Sequence, residues 1–522
     1  MAKKEVKQKS IESTIWEAAN KLRGSVEPAE YKHVVLSLIF LKYANDKFEE
    51  QRQKIIDAGD ESFVEMPMFY EQDNVFFIPE CARWECLMKN AKQADIAIKI
   101  DTALSEIEKK NTTLAGALPD NYYSRLHLGD GVLGKLLDTF NNINLKDADD
   151  KDVFGRIYEY CLKKFAISEG KGKGEFYTPK SVVELLCELI EPYNGIIYDG
   201  ACGSGGMFVQ STKFIAEHKG DTRNISVYGQ EKTDTTRRLA MMNLALRGIS
   251  ANFGEKADST FTNDMHPDLK ADYILMNPPF NLKAWRDDNE LLDDGRWQGY
   301  DVPPVSNANY AWILNMVSKL SQDGVGAMLL ANGAIGSTDA TESSIRKQLI
   351  ENDLVEAIIV LPRDMFYSTD ISVTVWLISK NKKARTIEKN GETIELRDRT
   401  GEILFMDYRQ GGHINEEKYI EVNTDDRAKL ADTYHQWQKV GGTYSDIPEY
   451  CYSAKKDEVS KKNYTLMPSK YIEFVDHDLD IDYEKEMKRI QDEMKVVVSE
   501  EQDSQKMLIE AFGGIGYGIK EV

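Results

Sequence analysis

The chain has 522 residues, 42% hydrophobic and 29% charged, with 66 basic side chains against 87 acidic ones and a formal charge of −21. That length exceeds what one hydrophobic core usually organises, so several domains are expected, and no stretch approaches the roughly 18 apolar residues of a membrane span. A protein gripping a long stretch of nucleic acid unaided carries a basic face, so the acidic balance argues against that mode, although a local patch can still bind.

The first ten residues, "MAKKEVKQKS", are basic but lead into no apolar region, so no secretory signal is expected. "TIWEAANKLRG" and "EYKHVVLSLIFLKYANDKFEEQRQKI" place Val34, Val35, Leu38, Ile39, Leu41 and Tyr43 at three- and four-residue spacing. That spacing predicts helices, and residues 1–150 read as a helical domain for subunit or DNA contacts without a catalytic motif. Six cysteines, Cys81, Cys86, Cys161, Cys187, Cys202 and Cys451, are scattered without a CxxC pair. They form neither a zinc-site spacing nor a disulfide framework, which fits a reducing cytoplasm.

From residue 151 short apolar runs alternate with helical stretches. The runs are "GIIYDGA" (195–201), "ISVYGQE" (225–231), "DYILMNPP" (272–279), "GVGAMLLANG" (324–333), "LVEAIIVLP" (354–362) and "SVTVWLISK" (372–380). "SVVELLCELIE" and "TTRRLAMMNLALRG" are among the helices between them. This alternation predicts an α/β fold with a doubly wound, largely parallel, Rossmann-like sheet across residues 151–472. Beyond residue 380 the chain reads as polar segments and hairpins, with a turn in "EKNGET". The last part, residues 473–522, reads as a charged helical tail in which Met487, Ile490, Met494 and Val497 step by 3, 4 and 3. Such a stripe suits packing on the protein's own body or on a partner.

Ligands of α/β sheets lie beyond the carboxyl ends of the strands, near the point where strand order reverses. "YDGACGSGGMFV" places Asp199 at the end of the first strand, then Ser204, Gly205 and Gly206 in the turn before a helix. A tight turn alone would explain the glycines; Glu231, 26 residues past Gly205 at the end of the next strand, adds an acceptor for ribose hydroxyls. Asp258, after a third strand, is placed to hold an adenine amine or to cap a helix. The glycine spacing is not GxGxxG, and none of the Gly-Lys pairs is followed by Ser or Thr. A ligand with ribose and adenine but no phosphates fits best, which points to S-adenosylmethionine.

One proline suffices to end the fourth strand, yet two follow Asn277: Pro278 and Pro279, then Phe280. With "YDGACGSGG" and the acidic end of the second strand, in this order, the tetrapeptide resembles N6-adenine DNA methyltransferases of the gamma class. "GEFYTPKSVVELL" resembles that class's tenth motif, which closes over the methionine end of the cofactor and implies Glu175, Phe176, Tyr177, Thr178, Pro179 and Lys180 at the cofactor's edge. "GRIYEYCLKKFA", "LPRDMFYSTDISVTVWLISK" and "NYTLMPSKYI" extend the match to the modification subunit of type I restriction–modification systems. Many relatives have proline where this chain has Gly200, a difference not expected to disturb cofactor binding.

The resemblance implies methyl transfer from S-adenosylmethionine to N6 of an adenine rotated out of double-stranded DNA. The Asn277 side-chain oxygen and the Pro278 carbonyl would accept the two amine hydrogens, with Phe280 stacking on the base. A carboxamide is too weak a base to abstract a proton, and the sulfonium methyl is already reactive, so no metal is required. The ninety residues after the last core strand hold no long basic recognition segment, so the resemblance implies a separate specificity subunit, one per two modification subunits, and an ATP-driven restriction subunit. Protein-glutamine and RNA methyltransferases, which also use Asn-Pro-Pro before an aromatic ring, and an inactive cofactor-binding scaffold are the alternatives.

Overall fold

The computed structural model describes residues 11–20, 28–126, 128, 131–142, 153–169, 177–367, 369–475 and 482–514. Glu175 and Phe176 lie outside these. The chain divides into two units, Met1–Ile472 and Glu473–Val522.

Among the described residues, everything before Gly195 is helix, turn or loop. The longest of these helices, Pro28–Asp57, carries Val34, Val35, Leu36, Leu38 and Phe40, each 0% exposed. The spacing in the sequence implied one apolar stripe; the structure buries every side chain from Lys32 to Leu41. Val132–Asn141 and Val153–Glu169 pack against this helix, and the part of a helix covered on all sides need not be amphipathic. The core of this layer includes Ile157, Tyr158 and Phe165 and reaches Leu239 and Met242 in the next layer.

Thirteen strands follow among the described residues. They are β1 (Gly195–Asp199), β2 (Ile225–Gly229), β3 (Ala251–Asn252), β4 (Ala271–Met276), β5 (Leu320–Ala331), β6 (Val355–Val360) and β7 (Val373–Ser379), then β8 (Arg385–Lys389), β9 (Glu392–Leu396), β10 (Glu402–Asp407), β11 (His413–Ile414), β12 (Ile420–Glu421) and β13 (Cys451–Lys455). Nine form one sheet in the order β13-β10-β6-β7-β5-β4-β1-β2-β3. β7 runs antiparallel between β5 and β6, and β13 runs antiparallel at the edge; the other pairings are parallel. The predicted doubly wound, largely parallel sheet is present. β6 and β7 are buried along their whole length, as strands covered on both faces are, which explains their unbroken Val/Ile/Leu runs.

The stretch beyond residue 380 departs from the hairpin-only expectation. "EILFMD" is β10, which extends the central sheet beside β6, with Leu404, Phe405 and Met406 at 0% exposure. The predicted turn in "EKNGET" is the two-residue loop between β8 and β9: Asn390 and Gly391 both have positive φ, 50° and 81°, as a tight hairpin with this twist requires. Strand order reverses at the β1–β4 pair, where Tyr198 stands beside Ile274. The carboxyl ends of these two strands therefore open a crevice.

The second unit contains one described helix, Tyr483–Gly514. Its stripe is exposed: Met487 38%, Ile490 44%, Met494 66% and Val497 62%. No helix of the described residues is long and apolar enough to cross a membrane.

Candidate active site at the carboxyl ends of β1 and β4

β1 ends on Asp199, which is 2% exposed and accepts the Ala201 N–H at 2.9 Å. Burial, together with the nearby Glu231 carboxylate, raises its pKa to about 8 against the pull of that N–H. Gly203 and Gly205 adopt left-handed conformations, φ 53° and 80°, and Gly205 precedes the helix Gly206–Glu217 without any side-chain cap. The first N–H groups of a helix lack intrahelical acceptors, so this turn presents donors. A Cβ added at Gly203 or Gly206 would meet nothing within 4 Å, which leaves the surface of the turn open to a ligand. The Asn243 amide steadies the turn by donating to the Ser204 carbonyl at 2.8 Å.

Gly200 occupies this loop for a steric reason. A Cβ there would lie 2.7 Å from the Tyr198 hydroxyl and 3.2 Å from Thr260 Cγ2, so a larger residue requires the buried phenol to move. Thr260 also donates its hydroxyl to the Gly200 carbonyl.

Glu231 follows β2 and accepts the Gly203 N–H at 3.2 Å on one oxygen and the Thr233 N–H at 2.9 Å on the other. Each carboxylate oxygen can accept more than one donor, so Glu231 can also take ribose hydroxyls. Its carbonyl accepts the Asp258 N–H at 3.1 Å, which brings the third acidic residue to the same rim. Asp258 accepts from Asn263 at 2.8 Å, Lys256 at 2.9 Å and the Ser259 N–H at 2.8 Å, and these partners hold its carboxyl near pKa 2. The buried amide of Gln230, not anticipated from the sequence, ties this loop together by donating to the Asp258 and Asn263 carbonyls.

β4 leads directly into the buried Asn277 and Pro278, followed by the half-buried Pro279 and Phe280. Asn277 Nδ2 donates to Thr178 Oγ1 at 2.8 Å, whereas its Oδ1 is buried and has no hydrogen-bond partner among the described residues. Buried carbonyl oxygens are seldom left unpaired in folded proteins, and this one retains the capacity to accept a further donor. The chain leaves the motif through Asn281, φ 52°, whose N–H and side-chain oxygen both pair with buried Asn309, at 3.0 and 2.9 Å. This bracket fixes the direction of Phe280.

Two aromatic residues near the motif were not singled out in the sequence. The Phe366 ring meets Phe280 edge-on at 5.9 Å, and Tyr367 stacks on Tyr177 at 6.1 Å. Both lie in "DMFYST", a loop whose rings look like ordinary core residues until the sheet brings the end of β6 close to that of β4. Tyr177, Thr178 and Pro179 form the approach to the helix Lys180–Ile190, and burial raises the Tyr177 phenol well above its ordinary pKa. Lys180 turns outward to Glu184, 3.5 Å away on its own helix.

The donor set suits the expected nucleoside ligand: an open glycine turn at a helix N-terminus, a carboxylate for hydroxyls, and a second carboxylate on the same rim. Comparison with known proteins agrees. Residues 149–479 match the N-6 DNA Methylase family, and residues 11–140 match the HsdM N-terminal domain. The chain is 36% identical over 462 residues to the type I restriction enzyme HindI methylase subunit of Haemophilus influenzae, covering 84% of this chain and 100% of that one. It is 32% identical over 532 residues to the MjaIX methylase subunit of Methanocaldococcus jannaschii, covering 97% and 92%. In fold it is similar to the crystal structure of a type I restriction-modification methyltransferase subunit from Streptococcus thermophilus, with a TM-score of 0.70, 22% identity, and coverage of 89% and 99%. The chain belongs to the N-6 DNA methylase family, in the branch of type I restriction enzyme methylase subunits, and is an adenine-specific DNA methyltransferase.

Proposed function

We propose that this chain methylates N6 of an adenine rotated out of double-stranded DNA, with S-adenosylmethionine as donor, at sites chosen by a separate specificity subunit. The observation that carries this reading is the buried, unpaired Oδ1 of Asn277 at the mouth of the β1–β4 crevice.

S-adenosylmethionine, when bound, supplies an electrophilic methyl group on a sulfonium. Asp199, Ser204, Gly205, Gly206, Glu231 and Asp258 would hold its nucleoside and part of its methionine, with Tyr177, Pro179 and Lys180 at the rim. Asn277 Oδ1 and the Pro278 carbonyl accept the two hydrogens of the adenine amine. The amine then becomes pyramidal and its lone pair is freed from the ring. Both acceptors are fixed before the base arrives, because prolines at 278 and 279 hold the backbone, and preorganised dipoles act most strongly where water is excluded. Phe280 stacks on the base, with the Phe366 ring set edge-on beside it. The assembly is read as two copies of this chain with one specificity subunit, and a restriction subunit joining for cleavage.

The test is tritiated methyl transfer from S-adenosylmethionine to DNA by this chain with the specificity subunit of its own system. Asn277→Ala is expected to lower the rate by about 10²–10³-fold or more, the cost of losing a preorganised polar group. Full activity in that variant would remove Asn277 from the mechanism. Transfer by the chain alone would show that it carries its own recognition surface.

A further inference from the structure

We propose that Asn281 is a substrate-contacting residue: its side-chain Nδ2 donates a hydrogen bond to an acceptor atom of the extruded nucleotide. The inference rests on the reading of Phe280 as the ring that receives the adenine, and it assigns a role to the residue that follows it.

Which end of this carboxamide faces outward is decided by backbone N–H groups, which donate and cannot accept. The Asn281 N–H donates to Asn309 Oδ1 at 3.0 Å, so the other end of the Asn309 amide is Nδ2, and it donates to Asn281 Oδ1 at 2.9 Å. The Asn309 N–H in turn donates to Asn307 Oδ1 at 3.0 Å, and Asn307 Nδ2 donates to the same Asn281 Oδ1 at 3.3 Å. Turning any one of the three amides over would set donor against donor. Asn281 Oδ1 therefore takes two donors, and Nδ2 is the end left outside the bracket. Asn281 is exposed and Asn309 is buried, and among the described residues Asn281 Nδ2 makes no hydrogen bond.

The backbone keeps this donor in place. Asn281 has φ 52°, a left-handed conformation that asparagine tolerates. Just beyond it, the Ala308 N–H donates to the Leu282 carbonyl at 2.9 Å and the Ala284 N–H to the Val305 carbonyl at 3.0 Å. Asn309 opens the helix Asn309–Lys319, whose Tyr310, Ile313 and Leu314 are fully buried, so the bracket is anchored in the core. Two asparagines of one short segment thus present opposite groups, an acceptor on Asn277 and a donor on Asn281. An extruded adenine offers the complement: amine hydrogens beside the ring acceptors N1 and N7, with further acceptors on its phosphates. A donor whose orientation is already set loses little freedom on binding.

The experiment uses the complex with the specificity subunit and duplexes carrying adenine, 1-deazaadenine or 7-deazaadenine at the target position, or a methylphosphonate on either side of it. Asn281→Asp keeps an oxygen for both amide donors and puts a second oxygen in place of Nδ2, so the Tm should hold. The single-turnover rate on adenine should fall by about 10–100-fold, with S-adenosylmethionine affinity changed by less than about 3-fold. The duplex lacking the contacted acceptor should slow the native complex at least about 5-fold more than it slows the Asn281→Asp complex. Taking that ratio cancels any change in the intrinsic reactivity of the modified base. A loss with one deaza base assigns the contact to that ring nitrogen, and a loss with a methylphosphonate assigns it to a phosphate oxygen. A native rate in Asn281→Asp would overturn the proposal and leave Asn281 as a bracket for Phe280. Equal slowing of both complexes by every modified duplex would overturn it too, in favour of general charge repulsion. Failure of the reading of Phe280 shows separately, as a Phe280→Ala complex that methylates at the native rate.

Discussion

Asp199 and Asn277 both lie under 10% exposed at the ends of neighbouring strands, and burial acts on them differently. Asn277 is neutral, so lost water leaves it a better-directed acceptor. Asp199 must give up hydration of its charge, and its pKa rises to about 8. Between the ordinary carboxylate value of 3.8 and about 8, the folded chain holds one more proton than the unfolded chain, so this group makes stability fall as pH rises through that window. Asp199→Asn is expected to raise the Tm of the ligand-free protein at pH 7–8, to leave it unchanged at pH 4, and to weaken cofactor binding. Tm measured across that pH range checks the sign. An Asp199→Asn protein less stable at pH 8 would mean that the carboxylate is already ionised and paired.

At the scale of elements, the site depends on how the helix Lys180–Ile190 is held, because its first turn follows Thr178 and Pro179. The helix Thr424–Gln438 lies against it, with Arg427 bridging Glu184 and Glu188 at 3.2 and 2.9 Å and the His435 ring meeting the Leu189 carbonyl at 3.0 Å. That second helix begins with a capping box: Asn423 accepts the Asp426 N–H at 2.9 Å, and Asp426 accepts the Asn423 N–H at 2.9 Å. Asn423→Ala should destabilise the protein by about 1 kcal/mol, as loss of an N-cap does, while Asn423→Asp keeps the denaturation midpoint. An unchanged midpoint in the alanine variant would show that this helix end adds nothing to the stability of the body.

For the whole molecule, the division after Ile472 separates a body holding every residue of the candidate site from a helix whose apolar stripe is exposed. Met487, Ile490, Met494 and Val497 form an apolar stripe at coiled-coil-like spacing, and we propose that the specificity subunit covers it. A chain ending at Ile472 should keep its Tm and its cofactor affinity, fail to co-purify with the specificity subunit, and methylate no DNA in its presence. Normal co-purification would place the subunit contact elsewhere. The charge of −21 suits this arrangement, since an acidic catalytic subunit can leave many of the phosphate contacts to its partner.

The order of glycine turn, acidic strand end and Asn-Pro-Pro-Phe was legible in the chain because each belongs to a short contiguous segment whose backbone chemistry is local: a left-handed glycine, a carboxylate after a strand, a proline that ends one. The alternation of strands and helices, and with it the parallel sheet, was legible for the same reason. β10 was not, although "EILFMD" is as apolar as the other strands, because polar hairpins surround it and only its pairing with β6 makes it part of the sheet. Nor were the contacts that join distant segments. The Thr178 hydroxyl on the Asn277 amide, Phe366 beside Phe280, and the Thr260 hydroxyl on the Gly200 carbonyl all link positions far apart in the chain that the fold brings together. Local propensity determined which residues could do the chemistry. The packing of β1, β4 and β6 decided which atoms face each other, because a hydrogen bond depends on distance and direction in space, not on separation along the chain.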